Sequence, residues 1–76
     1  MDNNQIQEII KSYLDDVSDI SINGQDCNFS LRIVSKDFIN MSALERHKNI
    51  MKLFANLLKS GELHAISLDL KAPGEV

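Results

Sequence analysis

Apolar residues recur at three- and four-residue intervals in two stretches of this chain and at two-residue intervals in three others. Ile6, Ile9, Ile10, Tyr13, Leu14 and Val17 form the first helical stripe, with Asp2, Asn3 or Asn4 placed to cap its start. From Ser18 to Asn23 the period drops to two, with Ile20 and Ile22 on one side and Asp19 and Ser21 on the other, which predicts a strand. Asn23-Gly24-Gln25-Asp26 is a turn signal, because asparagine and glycine tolerate positive φ. Phe29, Leu31 and Ile33 then alternate with Ser30 and Arg32, so the two runs predict a hairpin whose loop carries Cys27. Ser42-Ala43-Leu44-Glu45 has the spacing of a capping box and predicts a second helix. Its apolar face is Leu44, Ile50, Met51, Phe54, Leu57 and Leu58, and Gly61 suits the left-handed position that ends it near Ser60. His64 to Leu70 alternates again, with Ile66, Leu68 and Leu70 on one face, and Pro73 closes this third strand.

The predicted order is therefore α-β-β-α-β. A strand-helix-strand unit within one sheet is almost always a right-handed crossover between parallel strands, so the third strand is expected to run parallel to the second. Two helices on one face of a mixed three-stranded sheet make an α+β fold, with the other face partly open. At 76 residues the chain is expected to be one domain, 1–76. A domain this small buries only about 60% of the surface its unfolded chain exposes.

Composition narrows the function classes. With 43% apolar residues the chain reads as globular rather than disordered. One cysteine excludes an internal disulfide framework and points to a reducing compartment. The acidic, polar start Met1-Asp2-Asn3-Asn4 is unlike a signal peptide, and no apolar run reaches membrane-spanning length, so a cytoplasmic location is expected. Charge is unevenly spread. Residues 1–26 carry six acids against Lys11, a balance of −5, whereas residues 27–76 carry seven bases against five acids, a balance of +2. The second half thus presents a mild positive face, and the predicted second helix carries Arg46, Lys48, Lys52 and Lys59.

Few residues can carry chemistry. His64 shares the parity of the inward set but stands at the strand's first position. It reads either as a histidine at the edge of the core or as a metal ligand reachable from solvent. Cys27 reads either as a small apolar filler or as a loop thiol able to bind a metal. His47 falls within the apolar arc of the second helix and is expected to be a packing residue. The glycines are too far apart for the GXXG clamp of nucleic-acid-binding KH domains, so contact by Arg46, Lys48 and Lys52 is expected to be electrostatic and weak. No phosphate loop or nucleophile elbow is present, and Ser42 is committed to capping, so no enzymatic activity is expected.

Val34-Ser35-Lys36-Asp37-Phe38, Arg46-His47-Lys48 and Leu63-His64-Ala65-Ile66, in this order, resemble the BolA family of small KH-like proteins. The resemblance implies a class II-like KH fold. It also implies a role as partner of a monothiol, CGFS-type glutaredoxin, sharing a [2Fe-2S] cluster with that protein's cysteine and glutathione. His64 would then be a cluster ligand and Cys27 the hairpin-loop ligand. Cys27 stands two residues before Phe29 with Asn28 between, whereas family members often place the loop cysteine further ahead. One cysteine and two histidines are in any case too few to hold such a cluster alone. Some family members are also associated with DNA-dependent regulation, the alternative role. Alone, the protein is expected to be a monomer or a weak homodimer.

Overall fold

In a computed structural model, which describes residues 2–25 and 28–76, the elements follow the order read from the sequence. They are α1 (Asn3–Tyr13), β1 (Asp19–Gln25), β2 (Asn28–Val34), α2 (Ala43–Ser60) and β3 (Ala65–Lys71), with 3-10 turns at Lys36–Phe38 and Pro73–Glu75. β2 is the central strand, antiparallel to β1 and parallel to β3. The helices cover the face bearing Phe29, Leu31 and Ile33, all buried, while Asn28, Ser30 and Arg32 stand on the open face.

Among the three cap candidates, Asp2 closes α1. Its carboxylate accepts from the Gln5 N–H at 2.9 Å, and the Gln5 side chain accepts from the Asp2 N–H at 2.9 Å. The helix stops at Tyr13, before the apolar stripe does. The backbone beyond it finds other partners: the Asp15 N–H donates to the Asp37 carboxylate at 2.7 Å, and the Asp16 carbonyl accepts from the Ser35 hydroxyl at 2.5 Å. These long-range side-chain bonds give the backbone partners that continued helix would otherwise have to supply. Leu14 still turns inward as the C-cap and Val17 packs on the core from beyond the helix, while Tyr13 is left half exposed.

The hairpin is tighter than its turn signal suggests. Asn23, Gly24 and Gln25 all pair in the ladder, ending at Gln25 opposite Asn28. Gly24 serves the strand instead of a turn. Its φ is 144°, and a Cβ there would overlap the Asn28 carbonyl oxygen and lie 2.8 Å from Phe29 Cα. Cys27, assigned to the loop, lies outside the described residues.

The capping box of α2 forms as read, with the Glu45 N–H to Ser42 Oγ and the Ser42 N–H to the Glu45 carboxylate both at 3.1 Å. Gly61 ends the helix in the left-handed region, φ 86°. The buried face differs from the expected one. Arg46, Ile50 and Phe54 point into the core, whereas Leu44 is 61% exposed and His47 is exposed. A stripe drawn through apolar residues alone misses the charged Arg46, and this rotates the expected face away from the true one. β3 likewise begins one residue later than expected, leaving His64 exposed just before it.

Gly24→Ala is expected to destabilise the fold by about 1–3 kcal/mol, the scale of an unfavourable backbone conformation. Gly74→Ala is the matched control, since a Cβ there meets nothing within 4 Å. Thermal unfolding of the two variants checks this: Gly24→Ala should lower the midpoint, and Gly74→Ala should leave it nearly unchanged.

Candidate functional site

The parallel crossover decides where the candidate ligands sit. β2 starts at Asn28 opposite Ala65, the first residue of β3, so the two strands begin side by side at one end of the sheet. The residues preceding these starts in sequence are Cys27 and His64; the structure describes the second. His64 is held from its N-terminal side. Leu63 is fully buried, and its N–H donates to the Leu57 carbonyl at 3.1 Å across the Gly61 turn. A fixed backbone with an exposed imidazole is suited to donating a nitrogen to a metal presented from outside.

His47 is on α2 near its N-terminus, whereas His64 follows the C-terminus of the same helix. The intervening helix from 47 to 60 rises about 20 Å at 1.5 Å per residue, so the two rings cannot share a metal. Among the described residues, no three histidine, cysteine, aspartate or glutamate side chains converge as a metal site.

Arg46, expected among the nucleic-acid contacts, is instead a structural hub. Its Nε donates to the Met41 carbonyl at 3.1 Å and Nη1 to the Leu70 carbonyl at 3.2 Å. Nη1 and Nη2 grip the Glu75 carboxylate at 2.6 and 2.7 Å. The guanidinium also lies 5.8 Å from the centre of the Phe38 ring. With its side chain 9% exposed, Arg46 is removed from the basic surface, which keeps Lys48 and Lys52, both exposed. The hydrogen bonds it donates to Glu75 raise the Arg46 pKa further. In return, the Arg46 hydrogen bonds, followed by the Ala72 N–H at 3.1 Å, hold the Glu75 carboxyl at about 2.

Sequence reading missed three structural residues here. Ser35 is fully buried, its hydroxyl donating to the Asp16 carbonyl and accepting from the Asp37 N–H at 3.0 Å. Leu63 sits beside Gly61 outside any periodic run, and Glu75 follows the last strand in a short polar tail. None of the three belongs to a helix or strand pattern. The signal that pointed at Ser35 was its place within Val34-Ser35-Lys36-Asp37-Phe38.

The sequence matches the family described as BolA-like protein over residues 4–75. The chain belongs to the BolA family. A BolA-like protein of Dictyostelium discoideum is 27% identical over 79 residues, spanning 92% of this chain and 69% of that protein. SufE-like protein 1 of Arabidopsis thaliana is 47% identical over 51 residues, which are 67% of this chain but 14% of that larger protein. Among solved structures, the BolA domain of SufE1 from Arabidopsis thaliana superposes with a TM-score of 0.85 at 32% identity, covering 100% of this chain and 99% of that one. BolA1 from the same plant gives 0.85 at 27% identity with the same coverage. In this BolA-family chain the fold carries both the exposed His64 and the Arg46 hub. No helix among the described residues is long and apolar enough to cross a membrane.

The Glu75 clamp has a pH signature. A carboxyl held near 2 in the folded chain, against 4.5 ordinarily, contributes stability that is fully present above about 4.5 and is lost as pH falls toward 2. Thermal unfolding midpoints measured from pH 6 to pH 2 should therefore fall more steeply for the native chain than for Glu75→Gln. Arg46→Lys should fail to restore the native midpoint, since an ammonium lacks the bidentate fork.

Proposed function

We propose that this BolA-family protein works by association, lending His64 as one ligand to a [2Fe-2S] cluster held mainly by a monothiol glutaredoxin and glutathione, in iron-sulfur assembly, trafficking or iron sensing. The observation that carries the reading is the exposed imidazole just before β3, on a backbone anchored by the buried Leu63. Similarity to the BolA domain of SufE1, a domain joined within one chain to a SufE-like protein, supports an iron-sulfur related role. Cys27 is proposed as a second ligand from the sequence alone. The proposal leaves no enzymatic step to the chain: it positions a nitrogen donor and lets a partner supply the thiolates. Imidazole in place of thiolate at one iron is expected to raise the reduction potential, as it does when histidines replace cysteines in Rieske centres. The nucleic-acid alternative is weakened by the structure, since Arg46 is consumed internally and only Lys48 and Lys52 remain of the three bases assigned to it.

Mixing the protein with a cluster-loaded monothiol glutaredoxin while recording visible absorption and circular dichroism tests this. The native chain should change the cluster spectrum and form a heterodimer. His64→Ala should abolish the spectral change, and His47→Ala should leave both the spectrum and, because it is exposed, the thermal midpoint close to native. Equal spectral changes with native protein and His64→Ala would remove His64 from the ligand set.

A further inference from the structure

We infer that the outward flank of α2 is a second interaction site, independent of the cluster reading, and that its occupant is an amphipathic helix of a partner protein with carboxylates beside its apolar stripe. Arg46, Ile50 and Phe54 fix the inward direction of α2. At 3.6 residues per turn, Leu44, Met51, Ala55 and Leu58 fall on one line about 110° round the helix from Ile50, and Lys48, Lys52 and Lys59 fall on a second line at about 180°. Asn49 and Leu57, which line clefts with α1 residues, lie on the other side of Ile50, so α1 does not cover this flank. Leu44 and Ala55 are exposed, and Met51 and Leu58 are half-buried. Met51, Ala55 and Leu58, with His47, Lys48 and Lys52 at their sides, form a shallow apolar groove along the helix.

Charge and spacing together select the occupant. The chain carries 11 acids against 8 bases, yet this flank carries three lysines and no available carboxylate. Glu45, the one acid of α2, is drawn to the Ser42 N–H at 3.1 Å in the cap. Carboxylates of a partner would meet Lys48 and Lys52 at the border of an apolar contact, where opposite charge fixes register and rejects basic partners. Met51, Ala55 and Leu58 follow one another at four- and three-residue intervals, about 5 Å along the axis, which is the repeat of an apolar stripe on another helix. Side chains on one face of a strand recur at about 6.7 Å and fall out of step with it. Ala55 leaves room for a large partner side chain, and Met51 beside it is unbranched and adapts to the surface it meets.

Other occupants answer less of this surface. A phosphate backbone would pair with the lysines and leave Leu44, Met51 and Leu58 without a partner, and no aromatic ring stands on the flank to stack a base. An anionic bilayer takes up helices with broad apolar faces, whereas this stripe is narrow, its inner neighbours Ile50 and Phe54 being sealed in the core. A second copy fits poorly too. Two α2 helices related by a two-fold axis meet either antiparallel, lysine line against lysine line, or parallel, lysine line against the His47 side, and neither arrangement brings a free α2 carboxylate to the lysines.

Chemical shifts of the isotope-labelled protein test the proposal. The probe is an 18-residue helical peptide whose leucines alternate at three- and four-residue intervals with glutamates beside them. Adding it should shift the backbone amides of Met51, Lys52, Ala55 and Leu58 and leave those of β1 unmoved. A lysine-for-glutamate peptide, and a peptide of the same composition with the leucine stripe scrambled, should each bind about tenfold more weakly, the scale of two exposed ion pairs for the first. Ala55→Glu puts a carboxylate into the groove at an exposed position, so it should keep the native thermal midpoint and weaken the acidic peptide about tenfold or more. Lys48→Glu with Lys52→Glu should reverse the preference between the acidic and the lysine peptide. Shifts centred elsewhere, equal binding of the two peptides, affinity insensitive to Ala55→Glu, or no shift at millimolar peptide would overturn the proposal. So would tighter binding of duplex DNA or of phosphatidylserine vesicles than of the acidic peptide at the same amides, or a dimer in sedimentation that Ala55→Glu dissolves.

Discussion

Arg46 is the charged residue around which this small core is arranged. A guanidinium on the inner face of α2 is tolerated because four hydrogen bonds and an aromatic face answer its donors, and because they reach four separate parts of the chain. It joins the approach to α2 through Met41, the end of β3 through Leu70, the final turn through Glu75 and the 3-10 turn through Phe38. For a domain of 76 residues with little apolar area to spare, such a hub fixes the orientation of α2 over the sheet in a way that Ile50 and Phe54 alone would not. The same contact caps the far end of the β3 edge and takes Arg46 out of the basic surface.

The molecule thereby separates its tasks by end. The Arg46 hub lies where α2 begins and β3 finishes, and the exposed His64 lies where α2 finishes and β3 begins, because a crossover helix runs antiparallel to the strands it joins. Rigidity at the first end, together with the buried Leu63 beside His64, presents the imidazole on a backbone that need not reorganise when a partner arrives. Ser35 does comparable work at the corner after β2, tying it to the segment that follows α1.

Much of this was legible in the sequence. Element order, the Ser42 cap and the Gly61 stop follow from rules that act within a few residues, strand direction follows from the crossover rule for a strand-helix-strand unit, and the structure shows each of them. What escaped depends on contacts distant in sequence. α1 ends early because Asp37 and Ser35, some 20 residues away, bind its outgoing backbone. The α2 face was drawn too far toward Leu44 and His47 because Arg46 reads as polar until Glu75, 29 residues on, is brought to it. Gly24 reads as a turn but serves a close approach within the ladder. For the site, His64 was legible as a candidate from its place in Leu63-His64-Ala65-Ile66, but its exposure was not, since period-two parity assigned it to the inner face.

Whether His64 donates a nitrogen to a shared cluster is most directly measured by pulsed electron paramagnetic resonance. The reduced complex with a cluster-bearing glutaredoxin would be prepared with only this chain's histidines labelled with nitrogen-15. A strong nitrogen-15 coupling to the cluster, lost in His64→Ala and retained in His47→Ala, is the expected result. A cluster whose spectrum shows no histidine coupling, or one whose coupling survives His64→Ala, would contradict it.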